Sequence, residues 1–352
     1  MQKGDLIIPF LQFSKLREMN FSKILLPYEK YHIPQKRVLV ELHSLVREFN
    51  YHILSGLYPL YPYKCLCGEK QDFDLLATVD KKGFIVPLSV CRKCGMVAVN
   101  PHYSDVFYLD LKKHKYFFQV FYGVDNHKDY VFSKLNTLEG YDIYNLVRQV
   151  LKIGKDTEIL EIGSGAGWNF LPFIRVGAKV KGYEEDKQFV DLAKTLGLDV
   201  DLVNLDKLPK EGKFDVIILS NVLNKMFSPL EFLLEVKSLL NESGILYVDM
   251  PKLNIKKMDY IIDSFYYFTT DTLRYFMNEY GFKPLEVIKT NEKIAGVFRF
   301  EQFLNSKYLL IRNKKIIYKE IRKLRRIESF KFTKKIKNKT DVQTIKLLQR
   351  IK

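Results

Sequence analysis

A glycine-rich turn at Glu161–Gly167 is the part of this sequence best suited to binding a cofactor. It follows a short apolar run, residues 157–162, and is therefore predicted to join a strand to a helix. Such a turn presents free backbone N–H groups, and glycine lets a ligand approach the backbone where any Cβ would block it. A dinucleotide site needs Gly-x-Gly-x-x-Gly, but the position of its third glycine is occupied by Trp168. The spacing Glu-x-Gly-x-Gly-x-Gly therefore argues against that class.

This spacing and the segments after it resemble class I S-adenosylmethionine-dependent methyltransferases over residues 155–301. In that family the acid that ends the second strand accepts hydrogen bonds from both ribose hydroxyls, and Glu184 stands at this place. The resemblance implies S-adenosylmethionine as methyl donor and a Rossmann-like α/β fold. It also implies a set of cofactor-binding residues: Glu161, Gly163, Gly165, Gly167, Glu184, Asn204, Leu205 and Ser220.

Two segments depart from the family pattern. The first, 204–209, corresponds to the stretch that contacts adenine, where Asn204 replaces an acid but keeps an oxygen that can accept from the exocyclic amine. In the second, 220–225, Asn224 and Lys225 replace the family's common acid–histidine pair. That pair is therefore not available for proton transfer. This absence motivates an alternative hypothesis, a methyltransferase-like scaffold without catalytic activity.

All four cysteines of the chain lie between Cys65 and Cys94. The second pair has the Cys-x-x-Cys spacing that lets two thiolates face one tetrahedral zinc ion, whereas the first pair is separated by a single residue. In a cytosolic chain such a cluster favours a metal site over disulfides. We predict a structural zinc ion held by Cys65, Cys67, Cys91 and Cys94, with a hairpin between the two pairs. The alternatives are that His102 completes the site or that the four thiols bind no metal.

The cysteine segment, with Asn100 and Pro101 after it, resembles the N-terminal zinc-ribbon module of some class I methyltransferases, including sugar C-methyltransferases. In the family the first pair is also Cys-x-x-Cys, which would put a cysteine at Lys64, so this chain departs there by one position. The module order implies a small-molecule acceptor, a nucleotide-linked sugar or another glycan precursor. The family's full pattern carries a further sizeable domain where a basic segment follows here, so the acceptor stays open.

The candidate general base is His127, in a polar and aromatic segment just before the cofactor-binding region. The ordinary pKa of histidine suits proton transfer near neutrality, although a lone histidine is more often a surface or capping residue. Tyr266, Tyr267 and Lys225 are weaker candidates. Methylation of cytosine C5 is disfavoured because every cysteine belongs to the predicted zinc site. Methylation of the adenine amino group is disfavoured because no Asn/Asp-Pro-Pro-Tyr follows the fourth strand.

Alternating apolar runs and amphipathic stretches must position these residues. Apolar strands that alternate with helices predict a parallel sheet covered on both faces, followed here by two closing strands. The predicted strands are 157–162, 180–183, 199–203, 214–219, 244–250, 284–290 and 296–300, with a helix beginning at Pro229. The predicted domains are a helical extension over 1–60, a zinc-ribbon-like module over 61–122, a methyltransferase domain over 123–305 and a basic tail over 306–352.

The basic charge of the chain is concentrated in that tail. Residues 307–352 contribute +14 of the net +16, through 17 lysines and arginines against 3 acids. Apolar residues at positions 317, 321 and 324 have helical spacing, so the tail is predicted to be a basic amphipathic helix. It could pack on the methyltransferase domain, lie on an anionic membrane surface, or bind nucleic-acid phosphates. The last case would make the protein an RNA methyltransferase.

The bulk composition is that of a folded globular protein, with 47% apolar and 14% aromatic residues. No apolar run approaches the length needed to span a bilayer, and the N-terminus is a poor secretory signal. A cytoplasmic location is therefore the expectation. The oligomeric state stays open.

Overall fold

The computed structural model describes residues 36–61, 63–80, 82–253 and 261–301, with the backbone alone for 36–43 and 78. These residues form two compact units, one of residues 36–120 with 261–264 and one of residues 121–253 with 265–301. The basic tail predicted over 306–352 and most of the N-terminal extension lie outside the described residues. No helix in the described part is long and apolar enough to cross a membrane.

The first unit combines one long helix with short antiparallel strands. The elements are α1 (Lys36–Ser55), β1 (Leu60–Tyr61), β2 (Phe73–Val79), β3 (Ile85–Cys91), β4 (Val97–Val99), β5 (His102–Tyr103) and α2 (Asp105–Lys113). β2 and β3 pair as the predicted hairpin, with Phe73 opposite Cys91, and β3 also pairs with β4, where Leu88 lies opposite Val99. The helix α1 thus lies at the end of the helical extension predicted over 1–60. The hairpin brings the two ends of the cysteine segment together.

Aromatic rings and one buried carboxylate hold the first unit. Tyr103 and Phe107 stack with centroids 4.5 Å apart, and Phe49 meets Phe107 edge-on at 5.5 Å. Burial raises the pKa of Asp80 to about 6. Its carboxylate accepts hydrogen bonds from the backbone N–H groups of residues 82, 84 and 262. Since a buried acid needs such donors, Asp80 fixes the turn between β2 and β3.

The second unit is built on a mostly parallel sheet. Its elements begin with α3 (Phe117–Tyr122), which starts in the first unit. They continue with α4 (His127–Leu135), α5 (Glu139–Val147), β6 (Glu158–Ile162), α6 (Leu171–Arg175), β7 (Lys179–Glu184), α7 (Lys187–Thr195), β8 (Val200–Leu202), β9 (Phe214–Ser220), a 3₁₀ turn (Leu223–Lys225), α8 (Pro229–Leu239), β10 (Leu240–Pro251), β11 (Tyr266–Tyr267), α9 (Thr270–Glu279), β12 (Phe282–Lys289) and β13 (Lys293–Phe300). The strand order, within the described residues, is β12–β13–β10–β9–β6–β7–β8. The neighbours from β10 to β8 run parallel, and β13 runs antiparallel to both β10 and β12.

Two apolar clusters bind helices to this sheet. One joins α5 and α6 to β6, β9 and β10 and includes Ile143, Ile159, Phe173 and Val216. The other joins α4 and α7 to the turn after β6 and includes Phe170. Strands buried by helices become apolar throughout, which is why the sequence displayed them as apolar runs. All the predicted strands are present, and the predicted α/β fold with a Rossmann-like methyltransferase sheet is confirmed.

The strand order places a crevice at the carboxyl edge of the sheet. β6 lies between β7 and β9 in the sheet. From β6 the chain first adds β7 and β8 on one side and then crosses to the other side of β6 to form β9. In open parallel sheets ligands bind at this point, where the strand order reverses. The turn after β6 and the ends of β7, β9 and β10 therefore surround the position where a cofactor would bind.

Candidate functional site

The turn after β6 can be built only with glycine. Gly163, Gly165 and Gly167 have φ values of 70°, 56° and 77°, a region that side chains rarely adopt. A Cβ on Gly163 would lie 2.6 Å from Val222 Cγ2. A Cβ on Gly165 would lie 2.0 Å from the indole ring of Trp168. The turn is thus held by close packing as well as by its backbone conformation.

Glu184 fastens this turn to the end of β7. One carboxylate oxygen accepts from the N–H of Gly165 at 2.8 Å, and the other accepts from the N–H groups of Glu185 at 2.9 Å and Asp186 at 2.8 Å. The side chain is buried, and burial raises its pKa. A carboxylate offers about four acceptor positions, so these three bonds leave it nearly satisfied.

Glu161, at the end of β6, is only partly satisfied. Glu161 and Asn169 are 1% and 2% exposed, and Asn169 Nδ2 donates to Glu161 Oε1 at 2.8 Å. Within the described residues, neither Glu161 Oε2 nor Asn169 Oδ1 has a hydrogen-bond partner. Burial raises the pKa of Glu161 to about 8, since a charged carboxylate is poorly solvated there.

A cavity of about 400 Å³ opens at this edge of the sheet, inside the second unit. Its volume is in the range of small-molecule and cofactor pockets. One wall of the cavity is aromatic. The ring centroids of Tyr122 and Tyr130 lie 4.3 Å apart, and the Tyr130 ring meets the Trp168 ring edge-on with centroids 5.6 Å apart. The lining residues are Tyr122, Tyr130, Lys134, Glu139, Glu161, Gly163, Gly165, Trp168, Asn169, Glu184, Phe189, Ser220, Asn221, Lys225, Asp249, Met250, Pro251, Glu292 and Lys293.

The other wall carries a polar network centred on Asp249, at the end of β10. Its carboxylate accepts from Ser220 Oγ at 2.9 Å, from Tyr247 Oη at 2.9 Å and from Lys293 Nζ at 3.1 Å. Beside it, Asn221 has a φ of 57°, a conformation that costs a non-glycine residue free energy. Asp249 and Lys293 were not predicted from the sequence. The signal that could have indicated Asp249 is its place at the end of the fifth strand, level with Ser220.

Five of the predicted cofactor-binding residues line the cavity and three do not. Gly167 is the last glycine of the turn. Leu205 is buried, and its Cδ1 lies 3.8 Å from the point that a Cβ on Gly163 would occupy. Asn204 turns its side-chain oxygen to the N–H of Asp206, at 2.9 Å. The residues in the lining are Glu161, Gly163, Gly165, Glu184 and Ser220. The binding roles of all eight stay predictions.

The predicted base, His127, begins α4 and lies beside the aromatic wall without lining the cavity. Its Nε2 is 2.9 Å from Asp186 Oδ2, and its ring packs against Phe189 at 4.7 Å. Phe189 itself lines the cavity, so His127 is one ring removed from it. The role of His127 as a base stays a prediction.

In the first unit the four cysteines converge. Their sulfur atoms all lie within 4.8 Å of one another, with Cys65 and Cys94 at 3.4 Å and Cys67 and Cys91 at 3.7 Å. These separations are far too long for a disulfide bond. A tetrahedral zinc ion with Zn–S bonds of 2.3 Å would hold its sulfurs about 3.8 Å apart, so the arrangement fits such an ion.

Tight turns create the cysteine arrangement. In the first turn Gly68 has a φ of 86° and donates to the carbonyl of Cys65 at 2.7 Å. In the second, Gly95 has a φ of 78° and donates to the carbonyl of Cys91 at 2.8 Å. His102 is not part of the group that converges among the described residues.

Comparison with known proteins identifies the second unit. Residues 138–287 match the family model described as a methyltransferase domain. This part of the chain is therefore a methyltransferase domain, and the resemblance of residues 155–301 to class I S-adenosylmethionine-dependent methyltransferases is confirmed. The resemblance of the cysteine segment to a zinc-ribbon module stays a prediction. The match does not extend to the cysteine module.

Individual relatives are distant. Over 100 residues the chain is 29% identical to the ubiquinone biosynthesis O-methyltransferase of Pelagibacter ubique (strain HTCC1062), covering 27% of this chain and 42% of that enzyme. The chain thus spans less than half the length of this curated relative. A methyltransferase structure from Aquifex aeolicus has 17% identity and a TM-score of 0.39, covering 48% of this chain and 96% of the other. The 1,6-didemethyltoxoflavin-N1-methyltransferase of Burkholderia thailandensis has 14% identity and a TM-score of 0.44, covering 60% and 96%.

Proposed function

We propose that the protein transfers a methyl group from S-adenosylmethionine to a small-molecule acceptor, a nucleotide-linked sugar or another glycan precursor. The observation that carries the proposal is the cavity at the carboxyl edge of the sheet, bounded by Gly163, Gly165 and Glu184 within a methyltransferase domain. The acceptor class is supported by the cysteine module that precedes this domain in the chain.

The residues around the cavity fit the cofactor. Gly163 and Gly165 line the cavity and can present their backbone to a ligand there, and Glu184 would accept from the ribose hydroxyls. Glu161 and Ser220 line the same cavity, and Asn204 and Leu205 would contact the adenine, with Gly167 completing the turn. When bound, the cofactor supplies an activated methyl group on its sulfonium. The chain's task is then to orient the acceptor and exclude water.

His127 is proposed as the base that takes the acceptor's proton. Its contact with Asp186 would fix the orientation of the imidazole, as a base needs, and Phe189 lies between the histidine ring and the cavity. An acceptor bound along the aromatic wall would bring its nucleophile towards this histidine.

We also propose that the four cysteines hold a structural zinc ion, because their sulfur separations match those around tetrahedral zinc. Four protein ligands leave no open position for catalysis. Metal analysis of the purified protein is expected to find one zinc ion per chain, with loss of the ion in Cys94→Ser. A protein that is folded and free of stoichiometric metal would refute this.

Calorimetry with S-adenosylmethionine and S-adenosylhomocysteine tests the donor. The wild-type protein should bind both ligands. Glu184→Ala should lose the binding, because it removes the ribose acceptor and also the carboxylate that fastens the glycine turn through the N–H of Gly165. Glu185→Ala should keep it, because Glu185 is the exposed neighbour of the same charge. Thermal unfolding of each variant checks that the domain is intact. If the wild-type protein binds neither ligand, or Glu184→Ala binds as well as Glu185→Ala, the assignment of the site is wrong.

Transfer of a radiolabelled methyl group tests the acceptor. Nucleotide-linked sugars should be labelled by the wild-type protein and much less by His127→Ala, with Asp129→Ala, an exposed residue of the same helix, as control. Label that appears in RNA and not in the sugars would replace the proposed acceptor by a nucleic acid.

A further inference from the structure

The cavity wall formed by β10 and β13 carries a cation, the ammonium group of Lys293. This residue begins β13 and lines the cavity, and its side chain is 22% exposed. Within the described residues its Nζ makes one hydrogen bond, of 3.1 Å to Asp249. An ammonium group has three N–H donors, so Lys293 can donate to a ligand in the cavity as well.

Asp249 holds this cation at the end of β10. Its carboxylate is 4% exposed and also accepts from Ser220 Oγ and Tyr247 Oη, both at 2.9 Å. Buried charges need such partners. A carboxylate bound by three side chains has little freedom to move, so it fixes the position of the ammonium group that donates to it.

The turn between β12 and β13 fixes the backbone of Lys293. Thr290 Oγ1 accepts from the N–H groups of Lys293 at 3.0 Å and Glu292 at 3.2 Å, and the N–H of Thr290 donates to the carbonyl of Lys293 at 2.9 Å. The N–H of Lys252, which follows β10, donates to the carbonyl of Glu292 at 2.8 Å. Lys293 is therefore presented to the cavity by a rigid support, as a binding site requires.

Lys134, another lysine of the cavity lining, is arranged differently. Its Nζ donates to both carboxylate oxygens of Glu139, at 2.8 and 2.9 Å. Two of its three donors are therefore used within the protein. Of these two lysines, Lys293 has more donors left for a ligand.

A lysine cation selects the kind of methyl acceptor. Its N–H groups bind only lone pairs, and they bind most strongly to a negatively charged oxygen. A hydroxyl group that accepts a methyl group loses its proton, and a cation at the oxygen favours that anion. An amine that accepts a methyl group gains positive charge on nitrogen, which a neighbouring cation disfavours. The wall at Lys293 therefore suits a hydroxyl group better than an amine.

We propose that Lys293 is a catalytic residue that binds the methyl-accepting oxygen, and that the acceptor is a hydroxyl group bound as its anion. The inference rests on the proposed function and adds to it the acceptor atom. In the reaction the hydroxyl proton passes to the base, proposed as His127, and the oxygen attacks the methyl carbon of S-adenosylmethionine. An O–CH₃ bond forms and the S–CH₃ bond breaks. Its electron pair stays on sulfur, which leaves S-adenosylhomocysteine and a methyl ether.

Binding of 4-nitrophenol in the presence of saturating S-adenosylhomocysteine tests the proposal. This hydroxyl compound absorbs visible light only as its anion, so the absorbance reports the ionised fraction. At a pH at which most of the free phenol is protonated, the wild-type protein should bind the anion and raise the absorbance. Hydrogen bonds to charged groups correspond to about a tenfold to hundredfold change in affinity, and Lys293→Met should weaken binding of the anion by that factor. The affinity of this variant for S-adenosylhomocysteine should stay within about twofold of the wild-type value.

Two further substitutions separate the charge from the support. Lys293→Gln keeps an N–H donor for Asp249 but lacks the cation, so it should weaken the anion as Lys293→Met does, and it serves if the methionine variant fails to fold. Lys293→Arg keeps the cation and should bind the anion more tightly than Lys293→Gln. The matched control is Lys252→Met, which removes a lysine whose Nζ lies 3.4 Å from the carbonyl oxygens of Thr290 and Asn291 in the same turn. The control should bind the anion as the wild-type protein does.

The outcomes separate this inference from the proposed function. If S-adenosylhomocysteine binds but the wild-type protein raises no absorbance, or Lys293→Gln binds the anion as well as the wild type, the inference is wrong. An equal loss in Lys252→Met would assign the effect to the turn and would also overturn it. The same holds if the anion is lost in Lys225→Met, a further lysine of the lining, and retained in Lys293→Met. If S-adenosylhomocysteine does not bind the wild-type protein, the proposed function fails and this inference fails with it.

Discussion

The substitution Gly165→Ala combines two separable costs in the cofactor turn. The first is conformational, because Gly165 has a φ of 56° and a left-handed backbone costs an alanine about 1–2 kcal/mol. The second is steric, because the new Cβ would lie 2.0 Å from the Trp168 ring, and overpacking a rigid site costs about 1–3 kcal/mol. The free energy of unfolding of the domain should therefore fall by about 2–5 kcal/mol.

Gly197→Ala is the matched control for this prediction. Gly197 has a φ of 73°, and a Cβ there would meet no atom within 4 Å, so it should cost only the conformational part, about 1–2 kcal/mol. Urea unfolding followed by fluorescence reports on the right unit, because Trp168 is the single tryptophan of the chain. The difference between the two glycine variants measures the contact with Trp168.

A double-mutant cycle with Trp168→Leu checks the cause. Removal of the indole should recover the steric part of the cost in the Gly165→Ala background, which gives a coupling free energy of about 1–3 kcal/mol. Circular dichroism replaces fluorescence in the variants without tryptophan. The reasoning is refuted if Gly165→Ala costs no more than Gly197→Ala, or if the cycle shows no coupling.

Three further predictions concern the same domain. Titration with S-adenosylhomocysteine should change the fluorescence of Trp168, because this ring lines the cavity, and an unchanged spectrum at saturation would show that the ligand binds elsewhere. Lys293→Met leaves the buried Asp249 without its cation and should lower the free energy of unfolding in urea by about 1–3 kcal/mol. The control Lys283→Met breaks an exposed ion pair with Glu301 and should lower it by about 0–1 kcal/mol. Equal losses in the two variants would contradict the buried network. Burial raises the pKa of Glu161 from 4.5 to about 8, so the folded protein holds this proton more tightly than the unfolded chain does. The resulting contribution to the free energy of unfolding is fully present below pH 4.5 and is lost as the pH rises through about 8. Urea midpoints measured between pH 5 and 8.5, about the range of the shift, should therefore fall less steeply in Glu161→Gln, and parallel curves would contradict the assignment.

The strands and the cofactor turn were predictable because both depend on local sequence. Parallel strands buried on both faces are apolar runs, and the turn after β6 needs glycine for conformational reasons that a spacing records. The adenine segment shows the limit of this approach. Asn204 has the right residue type, but its oxygen accepts from the N–H two residues later, a common local turn of asparagine that a family pattern does not specify.

Residues brought together by tertiary structure were missed for a physical reason. Lys293 reaches Asp249 because β13 pairs antiparallel to β10, with Lys293 opposite Pro251, and nothing in the sequence near either residue sets that register. Asn169 follows the glycine turn by two positions, yet its importance comes from the direction of its side chain towards Glu161. Spacing predicts which residues are near in the chain, whereas unsatisfied atoms become visible only when the packing is known.

The two ends of the proposed cofactor site should contribute unequally to binding. Glu184 already accepts three backbone hydrogen bonds. A ribose hydroxyl that donates to this carboxylate mainly replaces hydrogen bonds already made to water or to the protein, so binding there gains little net free energy. Glu161 and Asn169 instead hold acceptors without described donors, and a ligand that satisfies them removes a cost present in the free protein. Affinity should therefore depend more on the part of the cofactor that reaches Glu161 and Asn169 than on its ribose.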